Sequence, residues 1–380
     1  MTKNAPFVLH TRTITATGGG PDKTILNSHH HLTERGYNSA CLFLHPPKDR
    51  GFHVLRDRAR AMNTPLIEVE DRSRFDFKAL KNTINHCKLN NVDIWHAHDY
   101  KTNLIGLIVK KFHPMKLITT THGWDRFDGG LPRYFKWDKK WFLPRYERVI
   151  CVSENVRSEC IQAGLAKSSC PLIENAIDTA QFKRLRTVSV AKSEDFGIQD
   201  CTQVIGSIGR LSEEKGFDLL IDAACRLLHE GAPIRLVIAG EGPIRNQLET
   251  QIAESGFSKH IQLVGFRQDT RAFYEGLDTF VLSSHREGLP NVLLEAMAVS
   301  TAVLATRVGG VERVVQQNEN GLLIEPGSSE QIYAGLKQLM NSAEQRQKFS
   351  QRGLASVTKH WSFSKRMDAI VKVYEEVLRK

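Results

Sequence analysis

Two doubly wound α/β domains are the fold that this sequence predicts. Three observations carry the prediction. Short β-branched runs alternate with amphipathic helical patterns, which is βα repetition and implies parallel sheets. The series breaks in a polar stretch at residues 183–200 and then starts again. The length of 380 residues exceeds what one domain comfortably holds.

The first series places strands at 7–13, 39–44, 92–98, 116–121, 149–153 and 171–173. The second places them at 203–208, 234–239, 261–264, 279–282, 302–305 and 321–324, with helices notably over 217–229, 244–255 and 291–298. The expected boundaries are residues 1–183 for an N-terminal Rossmann-like domain and 201–360 for a C-terminal one. Residues 183–200 lack apolar periodicity and read as the way out of the first domain. Residues 361–380 read as a helix with apolar positions at Phe363, Met367, Ile370, Val371, Tyr374 and Leu378. Ligands of open parallel sheets bind beyond the C-terminal strand ends, so function is expected in a cleft between the two halves.

Composition narrows the class. No apolar run approaches the ~20 residues needed to span a bilayer, and residues 1–6 lead into no signal-peptide core. Seven cysteines without a Cys-x-x-Cys pair point to reduced thiols and argue against a zinc knuckle or disulfide scaffold. A cytoplasmic chain is the expectation, with peripheral contact to the cytoplasmic face of a membrane as an addition. The reason is charge: residues 1–200 hold 31 Lys and Arg against 21 Asp and Glu, while residues 201–380 hold 21 of each. The basic, aromatic stretch 133–142 would suit an anionic membrane or an anionic acceptor, or be a solvated helix with its aromatics turned inward. No nucleic-acid module is recognisable.

Several strand ends carry residues suited to chemistry. Gly18, Gly19 and Gly20 follow the first strand and precede Pro21, which fits the first position of a helix. They read either as a structural turn or as a cradle for donor phosphate or acceptor. The pattern is neither a dinucleotide fingerprint nor a P-loop. His96 and His98 end the third run, and His122 follows the fourth, where it suits hydrogen bonding to a polar substrate. No spaced acidic partner supports a metal with them.

In the second half, Gly209-Arg210-Leu211-Ser212-Glu213-Glu214-Lys215-Gly216 crosses from strand to helix, and two cations there can neutralise a diphosphate leaving group. Gly265 and Phe266 form a strand-end turn that could meet a base edge. Glu287 and Glu295 flank Gly288, Leu289, Pro290 and Asn291, with Asn291 expected to cap the helix that carries Glu295. The amides from Gly288 to Asn291 are expected to form a nest for an anion or hydroxyl.

Together these residues resemble the retaining glycosyltransferases of family 4, which have the GT-B fold of two Rossmann-like domains facing across a central cleft. The likeness covers nearly the whole chain and is strongest over residues 203–325. Its most specific element is E-x7-E, here Glu287 and Glu295, supported by Gly-Arg-Leu-Ser-Glu-Glu-Lys-Gly, Ala-Gly-Glu-Gly-Pro and Val308-Gly309-Gly310-Val311-Glu312. The resemblance implies that Glu287 contacts the donor sugar, Glu295 the ribose, and Arg210 and Lys215 the diphosphate. It also places His122 near the transferred sugar, brings the Gly18–Gly20 loop to the site from the opposite domain, and packs the terminal helix back on the first domain.

The implied reaction moves a sugar from a nucleotide diphosphate to a hydroxyl of a glycan, lipid-linked or small-molecule acceptor, with retained configuration, in surface polysaccharide or glycoconjugate synthesis. No Asp-x-Asp occurs in the sequence, which agrees with metal-independent catalysis and no cofactor beyond the donor. UDP is the commoner family donor, with GDP and ADP as alternatives. Competing readings are a non-catalytic sugar-nucleotide-binding or scaffold protein, and an epimerase or phosphorylase on the same fold. Oligomeric state is not legible.

Overall fold

A computed structural model describes residues 5–14, 20–49, 51–73, 76–122, 133–198 and 202–379. The chain divides into two compact units: residues 1–174 with 364–380, and residues 175–363. Each is built on one six-stranded sheet.

The first sheet contains β1 (Phe7–Thr13), β2 (Asn38–His45), β3 (Leu66–Glu70), β4 (Ile94–Ala97), β5 (Lys116–Thr121) and β6 (Arg148–Cys151), in the order β3-β2-β1-β4-β5-β6. The second contains β7 (Gln203–Ile208), β8 (Ile234–Ala239), β9 (Ile261–Gly265), β10 (Thr279–Leu282), β11 (Ala302–Thr306) and β12 (Leu322–Ile324), in the order β12-β11-β10-β7-β8-β9. Every pairing between these strands is parallel. Both units therefore have the doubly wound topology of a Rossmann-like domain, and strand order reverses between β1 and β4 and between β7 and β10.

Burial explains why the strands read as apolar runs. β4 and β11 are buried along their whole length, as expected where helices cover both faces of a parallel sheet. The helix Phe217–His229 buries Phe217, Leu220, Ile221, Ala224, Leu227 and Leu228 on one stripe, the i, i+3, i+4 pattern that marked it in the sequence. In the first unit, Tyr374 of the helix Phe363–Leu378 bonds His96 while Arg35 binds Asp368 at 2.6 Å and Ser364 at 2.8 Å.

Three local expectations differ from the structure. β3 was not expected: its alternating glutamates mark an edge strand, and Glu68 is paired with Arg56 at 2.6 Å. Residues 171–173 contribute only an isolated bridge, Leu172 to Cys151. The third difference is the polar stretch at 183–200, which contains the helix Val188–Phe196 in the second unit.

That helix has no apolar stripe because charge docks its surroundings. Glu275, fully buried, accepts from the Leu185 N–H at 2.6 Å, Arg186 at 2.8 Å and Arg271 at 2.9 Å. Arg184 donates to the Glu275 and Val299 carbonyls, and Lys192 pairs with Asp278 at 2.5 Å. Burial pushes the Glu275 carboxyl up, yet the Leu185 amide and the two arginines outweigh it and hold the net value below the usual one. Removing one partner of a buried pair strands the others, at about 3–5 kcal/mol. Glu275→Ala is expected to lower the stability of the second unit by about 3 kcal/mol in urea unfolding, and a loss under about 1 kcal/mol would refute the role given to this network.

Candidate functional site

The second unit gathers most of the expected residues at its strand-order reversal. β7 and β10 lie side by side there, tied by Ser207 Oγ donating to the Val281 carbonyl at 2.7 Å. The loop after β7 carries Arg210 and the short 3-10 turn Glu213–Lys215; the loop after β10 carries Glu287. Lys215 Nζ meets Glu287 Oε1 at 2.7 Å, and Ser284 Oγ donates to the same oxygen at 2.8 Å. Ser283 Oγ holds the Lys215 carbonyl at 2.8 Å, and the His285 N–H holds that of Glu214 at 2.8 Å. Two loops distant in sequence are thus latched at three points, one of them the ion pair. Arg210 is exposed on the same β7 loop.

Glycines make that latch sterically feasible. Gly216 has φ +59°, and a Cβ there would stand 2.4 Å from the Ser283 carbonyl oxygen. Gly309 has φ +53°, and its Cβ would lie 2.0 Å from the Glu287 carbonyl oxygen. The next amide, of Gly310, donates to the Gly288 carbonyl at 2.6 Å. The Gly309-Gly310 turn therefore backs the loop that presents Glu287.

Glu295 occupies a different environment. It lies in the helix Asn291–Ala298 with only 4% of its surface exposed, and Tyr274 donates to its Oε2 at 3.0 Å. Burial, reinforced by the Glu295 carboxylate, raises the Tyr274 hydroxyl well above the usual phenol value, so it remains a donor. Asn291 does not cap this helix. Pro290, in the extended region, is the N-cap, and Asn291 stands at the first helical position with Oδ1 buried and unpartnered. Leu289 is buried, and its carbonyl is bonded by Asn175 at 2.9 Å. Gly265 ends β9 with φ +72° and accepts from the Gly240 N–H, and the adjacent Phe266 is exposed.

In the first unit, Gly18 and Gly19 lie outside the described residues, and Gly20 begins the helix Gly20–Glu34. His122 joins a column of imidazoles. Ring centroids are 4.8 Å apart for His10 and His96, 4.5 Å for His96 and His98, and 5.9 Å for His98 and His122. His96 is engaged at both nitrogens, with Tyr374 Oη at 2.6 Å and Thr120 Oγ1 at 2.7 Å. His10 Nδ1 and His98 Nε2 share a hydrogen bond of 3.0 Å.

The nitrogens of His10, His96 and His98 lie close enough for a metal, but these bonds and the nearby Arg12 and Arg366 cations make the cluster a poor cation site. Burial lowers all four histidines, aided by Arg366 at His10 and by Arg12 and Arg366 at His122. Neutral His122 keeps Nε2 buried without a partner, which leaves it able to bond a polar ligand atom.

Sequence reading missed Ser283, Ser284, Tyr274 and His10. The two serines directly follow β10, a position that marks them in retrospect. Tyr274 and His10 carry no local signal, because their partners are 21 and 88 residues away.

A sequence profile of the family Glycosyltransferase Family 4 matches residues 18–181, and one of Glycosyl transferases group 1 matches residues 190–355. Both profiles are of glycosyltransferase families, together they take in nearly the whole chain, and the fold is GT-B. It is similar to the lipopolysaccharide core biosynthesis glycosyltransferase LpsE of Rhizobium meliloti (strain 1021), at 33% identity over 46% of this chain and 49% of that protein, so the match spans about half of that relative. The lipopolysaccharide core biosynthesis mannosyltransferase LpsB of the same strain is 27% identical over 75% of this chain and 80% of its own length. Among solved structures, Anabaena HepE in complex with UDP and glucose superposes with a TM-score of 0.83 at 17% identity, covering 98% of this chain and 100% of HepE, a likeness of fold.

Two predictions arise here. Gly309→Ala forces a left-handed residue and displaces the Glu287 carbonyl; it is expected to cost at least about 2 kcal/mol in urea unfolding. An unchanged midpoint would contradict the packing described. The imidazole column should also make the first unit acid-labile. In the unfolded chain each histidine takes a proton near pH 6.5, whereas folded His10 does so only at about 3. The unfolded state therefore binds more protons below 6.5, so stability is full above that pH. It falls as pH drops toward 3, by up to about 1.4 kcal/mol per pH unit for each histidine. Tryptophan fluorescence reports it, since Trp95, Trp137 and Trp141 belong to this unit. A urea midpoint equal at pH 7.5 and 5.5 would refute it.

Proposed function

We propose that this protein transfers a sugar from a nucleotide-diphosphate sugar to an acceptor hydroxyl with retained anomeric configuration. The Lys215–Glu287 pair at the strand-order reversal of the second sheet carries the reading, because ligands of open α/β sheets bind there. Lys215 and exposed Arg210 are assigned to the diphosphate, Glu287 to the donor sugar, and Glu295 to the ribose. Gly265 and Phe266 are assigned to the base, and the Gly288, Leu289, Pro290 and Asn291 segment to the phosphate or sugar edge. His122, neutral and with an unpartnered nitrogen, is assigned to a sugar hydroxyl.

Cleavage of the glycosidic bond leaves negative charge on the β-phosphate, so Lys215 and Arg210 stabilise the transition state more than the ground state. A front-face route, in which the leaving phosphate helps take the acceptor proton, needs no metal and no enzymic nucleophile. Hydrolysis by a carboxylate pair is disfavoured because Glu295 is buried against Tyr274, whereas a glycosidase needs both acids flanking one anomeric carbon.

UDP is the donor nucleotide we favour, in keeping with the UDP complex of HepE. A surface-glycan acceptor, lipid-linked or polymeric, is supported by the lipopolysaccharide roles named for LpsE and LpsB. Among the described residues no helix is long and apolar enough to cross a membrane. Trp137 and Trp141 are 53% and 49% exposed beside Lys136 and Lys140, which suits peripheral contact with an anionic surface.

A thermal-shift series with UDP-, GDP- and ADP-sugars identifies the donor, since only a ligand of the folded state raises its stability. With that donor, Lys215→Ala is expected to cut turnover about 100-fold or more while changing donor affinity far less. Near-normal release of nucleoside diphosphate by the variant would reject the assignment. Donor binding without sugar transfer to any hydroxyl would favour a scaffold role.

A further inference from the structure

Outside this site, three thiols converge in the first unit. Cys151 ends β6, Cys160 lies in the helix Glu154–Gln162, and Cys170 follows the 3-10 turn Lys167–Ser169. All three are buried, at most 1% exposed, and their sulfurs lie within 4.8 Å of one another. Sγ of Cys151 and Cys160 are 3.9 Å apart. The arrangement is rigidly held. The Cys151 N–H bonds the Pro171 carbonyl at 2.9 Å and its carbonyl accepts from Ile173 at 2.9 Å, which clamps the Cys170 turn onto β6. Ser153 caps the helix of Cys160 by accepting from the Val156 N–H.

We propose that Cys151, Cys160 and Cys170 form an all-sulfur site for a soft d10 cation, of the copper(I) or cadmium(II) class. Metal–sulfur bonds of about 2.3 Å in a trigonal plane put the sulfurs about 4.0 Å apart, near the Cys151–Cys160 separation and inside the 4.8 Å within which all three lie. A disulfide would need a sulfur pair to close to about 2.05 Å. Among the described residues neither an imidazole nor a carboxylate belongs to this cluster, and an all-sulfur donor set selects against hard cations.

A second observation points the same way. Arg157, on the helix of Cys160, keeps its Nε buried without a hydrogen-bond partner, so a positive charge stands beside the Cys151 and Cys170 sulfurs. Three thiolates around a divalent ion carry one net negative charge, which this guanidinium offsets. On binding, each thiol releases its proton to solvent as its sulfur joins the metal. Cys41 and Cys87, equally buried, belong to no such cluster among the described residues and serve as internal controls.

The test uses the full-length chain, reduced and freed of thiol reagents. Equimolar cadmium(II), and separately copper(I), is added and excess removed by desalting over a competing chelator. Metal per chain, the thiolate-to-cadmium ultraviolet absorption and the thermal midpoint are then measured. One ion per chain, with the absorption band and a raised midpoint, is expected in the wild type and in Cys41→Ser and Cys87→Ser. Loss of the ion is expected in Cys160→Ser and Cys170→Ser. The proposal is overturned if the wild type retains less than about a tenth of an ion, or if binding survives both cluster substitutions. It is equally overturned if mild oxidation joins Cys151 to Cys160 in a disulfide and the metal adds no stability. The wild-type result decides the matter even if a cluster variant does not fold.

Discussion

Close backbone packing at the C-terminal strand ends is the constraint on which the second unit depends. A Cβ on Gly240 would lie 1.8 Å from the Gly209 carbonyl oxygen, and one on Gly242 would lie 2.2 Å from that of Leu211. The Gly209 amide bonds Ala239, that of Leu211 bonds Glu241, and that of Gly240 bonds Gly265. The turns after β7, β8 and β9 are thus joined backbone to backbone, and Gly216 and Gly309 do the same for the loops around Glu287. Side chains borne on these turns acquire fixed positions without rigidity of their own. Placement of this kind is what electrostatic stabilisation of a developing charge requires.

The two units solve the problem of polar groups at strand ends differently. The second leaves charge in place, pairing Lys215 with Glu287 at the rim. The first buries imidazoles, and burial together with Arg12 and Arg366 keeps them neutral. A neutral ring can donate from one nitrogen and accept at the other, so the column from His10 to His122 offers hydrogen bonds rather than charge. The second unit's rim is suited to an ionic ligand, whereas His122 is suited to an uncharged, polar one.

Legibility in the sequence followed from how local each determinant is. β1, β5, β7, β8 and β10 and the helices Phe217–His229 and Asn291–Ala298 match their expected bounds, since an apolar run or stripe of the right period declares them. The glycine motifs were visible as motifs, but their steric partners were not: Gly309 answers to Glu287, and Gly240 to Gly209. The helix Val188–Phe196 escaped because hydrophobic periodicity does not report docking by arginine and carboxylate. Tyr274 escaped because a buried hydroxyl facing Glu295 looks, in sequence, like any core aromatic. The capping expected of Asn291 failed by one position, since Pro290 can hold the extended conformation that an N-cap needs.

The pairing of Lys215 with Glu287 bears on how a donor would be read. In the protein alone each ion satisfies the other, with Ser284 completing the carboxylate's bonds, so neither is a desolvated, unpaired charge. A diphosphate competes for the lysine with more charge than a single carboxylate can offer. Drawing Lys215 away takes the cation from Glu287 Oε1, which keeps its Ser284 bond, and a carboxylate that has lost its cation is a strong acceptor for sugar hydroxyls. Under the proposed reaction, phosphate recognition would therefore create the sugar-binding carboxylate, and a sugar without its diphosphate would find Glu287 already occupied. Discrimination between a nucleotide-linked and a free sugar then follows from one shared ion pair, with no contact dedicated to rejecting the latter.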